Sequence, residues 1–145
     1  MYRIIIDNQN LISDILDNES YAYKIVEDSI AKKLQPILSP ALREDAENLA
    51  DKKIDNSDVF DLLEEYYKVC EELEPRNTAS VVDDKQVNEL VATAEAGDAD
   101  FIITENSELL DLDEYKSIRM LTPEQFWNMY QEDEDVEGAD ESNWA

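Results

Sequence analysis

The sequence predicts an α/β fold, a three-layer α/β/α sandwich around a mostly parallel central sheet. Four short apolar runs, at residues 2–6, 35–38, 99–104 and 117–121, have the length and composition of buried strands. Helical patterns stand between successive runs, and strands that alternate with helices pair in parallel with helices on both faces. The chain has 145 residues, 43 % of them hydrophobic, enough for one domain with a sizeable core. That domain is expected over residues 1–130, with 131–145 as an acidic, disordered tail.

The elements follow in order. Residues 2–6 are largely β-branched and lead to Asp7 at their C-terminal end. Asn10, or a residue just before it, is in position to cap a short helix over 11–16. Ser20 starts a second helix with Tyr23, Val26 and Ile30 on one face, and Lys32 and Lys33 suit its C-terminal turn. After the run at 35–38, Ser39-Pro40 is a helix start, with Ser as N-cap and Pro in the first turn; this helix is expected to reach about Ala50. Asn56 or Ser57 caps the clearest helix of the chain. Its residues Val59, Leu62, Leu63, Tyr66, Val69 or Cys70, and Leu73 follow i, i+3, i+4, i+7 spacing until Pro75 stops it. Asp83 or Asp84 begins the next helix, which buries Val87, Leu90, Val91 and Ala94 and ends at Gly97. A helical turn over 108–110 precedes the last strand, and Thr122-Pro123-Glu124 opens a final helix carrying Phe126, Trp127 and Tyr130.

What the chain lacks narrows its chemistry. With no histidine there is no Ser-His-Asp triad and no HExxH zinc site. A single cysteine, Cys70, allows neither a disulfide nor a Cys-cluster metal site, and its helical spacing between Tyr66 and Leu73 suits a small core residue. Gly97 and Gly138 are the only glycines, which excludes a Walker loop and a GxGxxG turn. Catalysis therefore falls to carboxylates with a hard metal ion, or to Tyr, Lys, Ser or Thr. No apolar run is long enough to span a bilayer. Met1-Tyr2-Arg3-Ile4 leads straight into an apolar run without the layout of a signal peptide, so a cytoplasmic protein without membrane contact is expected.

Charge is the strongest compositional feature. The chain has 37 acidic and 12 basic residues, a net charge of −25, and its last fifteen residues hold seven acids and no base. Such a surface favours solubility and repels nucleic-acid phosphates; it also suits a basic protein partner for which the acidic surface acts as a polyanion. Cations cluster only at Lys24, Lys32-Lys33 and Lys52-Lys53. In open α/β sheets, sites form beyond the carboxyl ends of the strands. Asp7 and Asn106 both lie just past predicted strand ends, and Asp45 and Asp84, on helices, can face the same crevice.

Four segments, taken together, resemble the PIN-domain family, in particular its toxin components of toxin–antitoxin systems. Ile4-Ile5-Ile6-Asp7-Asn8-Gln9-Asn10 is similar to the family's strand and Asp-Thr-Asn opening. Leu38-Ser39-Pro40 followed by Glu44-Asp45 stands where the family has Ser-Pro and then a helical Glu. Asp83-Asp84-Lys85 opens a helix that leads to Gly97-Asp98-Ala99-Asp100-Phe101-Ile102-Ile103-Thr104, and Thr104-Glu105-Asn106-Ser107-Glu108-Leu109-Leu110 is similar to Thr-Gly-Asp-x-Asp-Leu-Leu. The closing Ile118–Leu121 run and Thr122-Pro123-Glu124 also resemble the family's last strand and helix. The resemblance covers about residues 2–129.

It implies a metal-dependent endoribonuclease in which acids gather around Mg²⁺ or Mn²⁺. Hard divalent ions take oxygen ligands, and such chemistry needs no histidine. Carried over by position, Asp7 is the first metal-binding acid. Asp45 stands for the helical Glu with one methylene less, Asp84 is the third acid, and Asn106 holds the place of a fourth. Glu108 matches a further acid at the rim. Asn8 and Gln9 replace the opening Thr and Asn. The implied partners are RNA and, for a toxin component, a basic antitoxin, with a homodimer as one arrangement. The alternative reading is a catalytically degenerate PIN-like module whose acidic surface engages a basic protein.

Overall fold

The computed structural model describes residues 1–77 and 80–144, with side chains as far as 133. In chain order the elements are β1 (Arg3–Ile6), α1 (Asn8–Asp14), α2 (Tyr21–Ile30), β2 (Gln35–Leu38), α3 (Pro40–Lys53), α4 (Ser57–Val69) and β3 (Glu71–Glu72). There follow α5 (Lys85–Ala96), β4 (Phe101–Ile103), α6 (Ser107–Leu112), β5 (Glu114–Tyr115), β6 (Ile118–Leu121) and α7 (Pro123–Trp144). All four strands expected from the sequence are present. Two two-residue strands, β3 and β5, close the edges; they are too short and too acidic to leave a signal in the sequence.

The strand order is β3-β2-β1-β4-β6-β5. Every pairing is parallel except the hairpin of β5 with β6. β1 and β4 form the centre, where Ile4, Ile5, Ile102 and Ile103 have no exposed surface. Their β-branched side chains explain the preference for a strand buried on both faces. α5 packs on β1, β2 and β4; α7 packs on β6 and against α2, which also meets α1 and α4. α3 touches both α1 and α5. Tyr2, Phe101 and Phe126 interlock edge to face, with ring centroids 5.2–6.3 Å apart, and fix α7 to the sheet.

Helix starts follow cap chemistry closely. Ser20, Ser39, Asn56 and Asp84 cap α2, α3, α4 and α5 through side-chain oxygens. At α7 the Thr122 hydroxyl accepts from the Gln125 N–H (3.1 Å) while Gln125 Oε1 accepts from the Thr122 N–H (3.0 Å), a reciprocal capping box. The first helix differs from the expectation of a start near Asn10. Asp7 caps it, so α1 begins at Asn8, three residues before the expected first residue, Leu11. The expected end of the last helix near Tyr130 also differs, since the backbone of α7 continues to Trp144. The side chains of the expected tail beyond 133 lie outside the described residues.

Helix ends use an unusual residue choice. After α2, Lys33 N–H bonds Asp28 C=O and Lys32 N–H bonds Ser29 C=O, with Lys32 at φ 65°. After α5, Ala99 N–H bonds Ala94 C=O and Asp98 N–H bonds Glu95 C=O, with Asp98 at φ 51°. Both are Schellman closures with a non-glycine in the left-handed position. Gly97, the expected end of the helix, is its C-cap and has φ −92°. Its side chain is excluded by space: a Cβ there meets Ile37 Cγ2 at 2.9 Å and Leu73 Cδ2 at 3.0 Å.

Candidate active site

The chain leaves β1 toward β2 on one side and leaves β4 toward β6 on the other, so the sheet reverses its winding between β1 and β4. Open α/β sheets form a crevice beyond the strand ends at such a point. The two strands end flush, with Ile6 opposite Ile103. This register sets Asp7 beside Thr104. The Asp7 N–H bonds Ile103 C=O at 2.9 Å, and the fully buried Thr104 hydroxyl donates to Asp7 Oδ2 at 2.8 Å. Thr104 Oγ1 also accepts the Asn106 N–H at 3.0 Å. Asn10, 7 % exposed, accepts the Glu105 N–H at 2.9 Å. Residues 103–105 are thereby tied to the start of α1 at three points.

The resulting crevice holds about 460 Å³. It is lined by Asp7, Asn8 and Gln9 after β1; by Leu42, Asp45, Asn48, Leu49 and Lys52 on α3; by Asp84, Gln86, Val87 and Leu90 at α5; and by Asn106 after β4. Asp7, Asp45, Asp84 and Asn106, singled out in the sequence, thus meet on one concavity from four separate segments. Glu108 does not line it. That residue is exposed in the first turn of α6 and contributes only its backbone N–H, which donates to Asn106 Oδ1 at 3.0 Å. Glu44 and Asp83, the neighbouring acids, are also outside the lining.

Three of the four crevice groups are helix N-caps. Asp7 Oδ1 accepts the Gln9 N–H at 3.1 Å for α1. Asp84 Oδ1 accepts the Gln86 and Val87 N–H groups at 2.8 and 3.3 Å for α5. Asn106 Oδ1 accepts the Glu108 and Leu109 N–H groups at 3.0 and 3.2 Å for α6. Capping and chemistry do not compete, because a carboxylate has about four lone-pair sites. Asp84 Oδ2 takes no part in the cap, and the Asn106 amide nitrogen remains a donor.

Several organising residues carried no clear sequence signal. Thr104 and Asn10 stand in segments of the family resemblance, but neither carries a sign of the hydrogen bonds it makes here. Asn8 Nδ2 donates to Leu42 C=O at 2.8 Å, fastening the β1–α1 turn to the helix that carries Asp45, while its buried Oδ1 has no partner among the described residues. Side-chain amides buried against backbone are found by position in space, and no spacing rule reveals them.

The donor set suits a hard divalent cation, since the crevice offers oxygen ligands and neither thiolate nor imidazole. Among the described residues no group of three Asp, Glu, Cys or His side chains is close enough to hold one ion. Mg²⁺ commonly uses one or two carboxylates and completes its shell with water or substrate.

The mostly parallel α/β sheet thus carries carboxylates at its switch point. A family model described as the PIN domain matches residues 3–108, and the chain belongs to the PIN-domain family. The match runs from β1 into α6 and includes every residue lining the crevice. No curated protein and no solved structure matches the chain significantly. PIN domains generally use divalent metals. Among the described residues, no helix is long and apolar enough to cross a membrane.

Proposed function

We propose that the protein is a metal-dependent endoribonuclease that works in this crevice. The observation that supports the reading is the convergence of Asp7, Asp45, Asp84 and Asn106 on one concavity at the switch point. Asp7 and Asp84 would hold Mg²⁺ or Mn²⁺, with the shorter Asp45 reaching it through water. Such an ion, when bound, makes its water a nucleophile at neutral pH and stabilises charge on the phosphate under attack. Thr104 fixes the orientation of Asp7 through the 2.8 Å bond to Oδ2. The Asn106 amide nitrogen is a donor for a phosphate oxygen or an attacking water. Glu108, a further acid at the rim by resemblance, lies outside the lining. The test is Mn²⁺-dependent cutting of single-stranded RNA by the purified protein, with Asp7→Asn and Asp84→Asn as controls. Cutting that each substitution lowers by at least about a hundredfold, the scale of losing one essential group, supports the reading. Cutting that neither substitution changes removes it.

A second reading is favoured by the net charge of −25. The crevice and the surface around it would engage a basic protein segment, such as one from the antitoxin of a toxin–antitoxin pair. Salt-sensitive binding of a basic partner that survives Asp7→Asn/Asp84→Asn, without any cutting of RNA, would place the function there.

A further inference from the structure

We infer that Lys52 is a substrate contact, holding an RNA backbone phosphate at a distance from the one that is cut. This rests on the ribonuclease reading above and adds a residue to it. On α3 the residues Asp45, Asn48, Leu49 and Lys52 all line the crevice. Their i, i+3, i+4, i+7 spacing makes one stripe along the helix, while Ala46 and Ala50 face the core. Lys52 is the only basic residue among those lining the crevice.

Three other cations on the described surface are held in ion pairs, whereas Lys52, like its neighbour Lys53, is not. Arg43 pairs with Glu47 at 2.9 Å and Glu72 at 3.3 Å and lies 5.1 Å from the Tyr67 ring centroid. Arg3 pairs with Glu71, and Lys116 with Glu95 at 2.7 Å. Lys52 makes no hydrogen bond and no ion pair among the described residues, in a chain with 37 acids. An ammonium left without an intramolecular partner, at the wall of a crevice for a polyanion, is a point-charge donor for phosphate oxygen.

Seven residues at 1.5 Å each set Lys52 about 10 Å along the helix from Asp45. The phosphate proposed for Lys52 is a neighbour of the one attacked beside Asp7. Binding at that distance acts alike on ground and transition states, so its loss raises KM and leaves kcat unchanged. The competing explanation for a lysine here is the helix macrodipole, because Lys52 and Lys53 both lie in the last turn of α3. Lys53 has the same charge on the same turn and is outside the crevice lining, so it separates the two explanations.

The experiment measures Mn²⁺-dependent cutting and binding of a short single-stranded RNA by wild type, K52A, K52R and K53A over a range of salt concentrations. Lys52 is exposed, so its removal leaves the fold intact. With Lys52 as a phosphate contact, K52A raises KM by up to about fivefold, the ceiling for an exposed ion pair, with kcat unchanged. It also flattens the log–log salt dependence of binding by about 0.7. K52R stays near wild type, and K53A changes neither quantity. A wild type that cuts RNA while K52A and K53A behave alike overturns the role of Lys52 and leaves the ribonuclease reading standing. A fall in kcat at unchanged KM overturns it in the same way. A wild type that neither cuts nor binds RNA overturns both.

Discussion

Asp7 serves local structure and the crevice at once. One oxygen caps α1 and the other receives the Thr104 hydroxyl. The two roles separate by substitution. Asparagine is as good an N-cap as aspartate, and a hydroxyl can turn from donating to accepting. Asp7→Asn should therefore keep stability within about 0.5 kcal/mol of wild type, and Asp7→Ala should lower it by about 1–2 kcal/mol, both read from urea unfolding. A large loss in Asp7→Asn would mean that the charge itself holds the strand end. Cys70 represents the opposite case, a reactive residue type in an inert setting. Burial pushes its thiol from the ordinary 9.0 up to about 12, and burial raises the hydroxyls of Tyr66 and Tyr67 above their usual values as well. These acids ionise less readily in the folded chain than in the unfolded one. The stability Cys70 contributes is complete below about pH 9 and is lost as pH rises through about 12. Alkylation of the native protein at pH 8 should therefore be slow at Cys70 and fast after denaturation. Equal rates would show that the thiol is open to solvent.

At the scale of elements, cap and turn chemistry decided what the sequence could reveal. Ser39-Pro40 and Thr122-Pro123 marked their helices because a capping oxygen and a ring-fixed φ act locally. Asp7 was read as a site residue and its cap role was missed, which moved the expected start of α1 away from Asn8. Gly97 ends α5 as its position in the sequence indicates, and space, not a left-handed φ, excludes a side chain there. Two predictions follow from this geometry. Gly97→Ala forces Ile37 and Leu73 to shift and should cost about 1–3 kcal/mol. Asp98→Gly relieves a left-handed non-glycine residue at φ 51° and should gain up to about 1 kcal/mol. Thermal unfolding of the two variants checks both signs, and a destabilised Asp98→Gly would show that the aspartate side chain does more than occupy the turn.

For the whole molecule, the order of strands and helices was readable because alternating apolar runs and amphipathic helices permit few topologies. The edge strands β3 and β5 were not, since two-residue pairings depend on neighbours brought together only in the fold. The crevice was readable in part. The strand-end positions of Asp7 and Asn106 follow from topology, whereas the stripe from Asp45 to Lys52 needs the contact of α3 with both α1 and α5. The net charge of −25 bears on every cation and polyanion this protein meets. Diffuse attraction of metal ions to 37 acids has to be screened before any site can be counted. The most direct test is a calorimetric titration with Mn²⁺ at about 0.3 M salt, where the screening length is well under 10 Å, comparing wild type with Asp7→Asn/Asp84→Asn. Both substitutions keep a cap, so the variant should remain folded. Stoichiometric binding by wild type that the double variant lacks is the expected result. Weak binding of equal strength in both proteins would contradict it and identify these acids as surface charge.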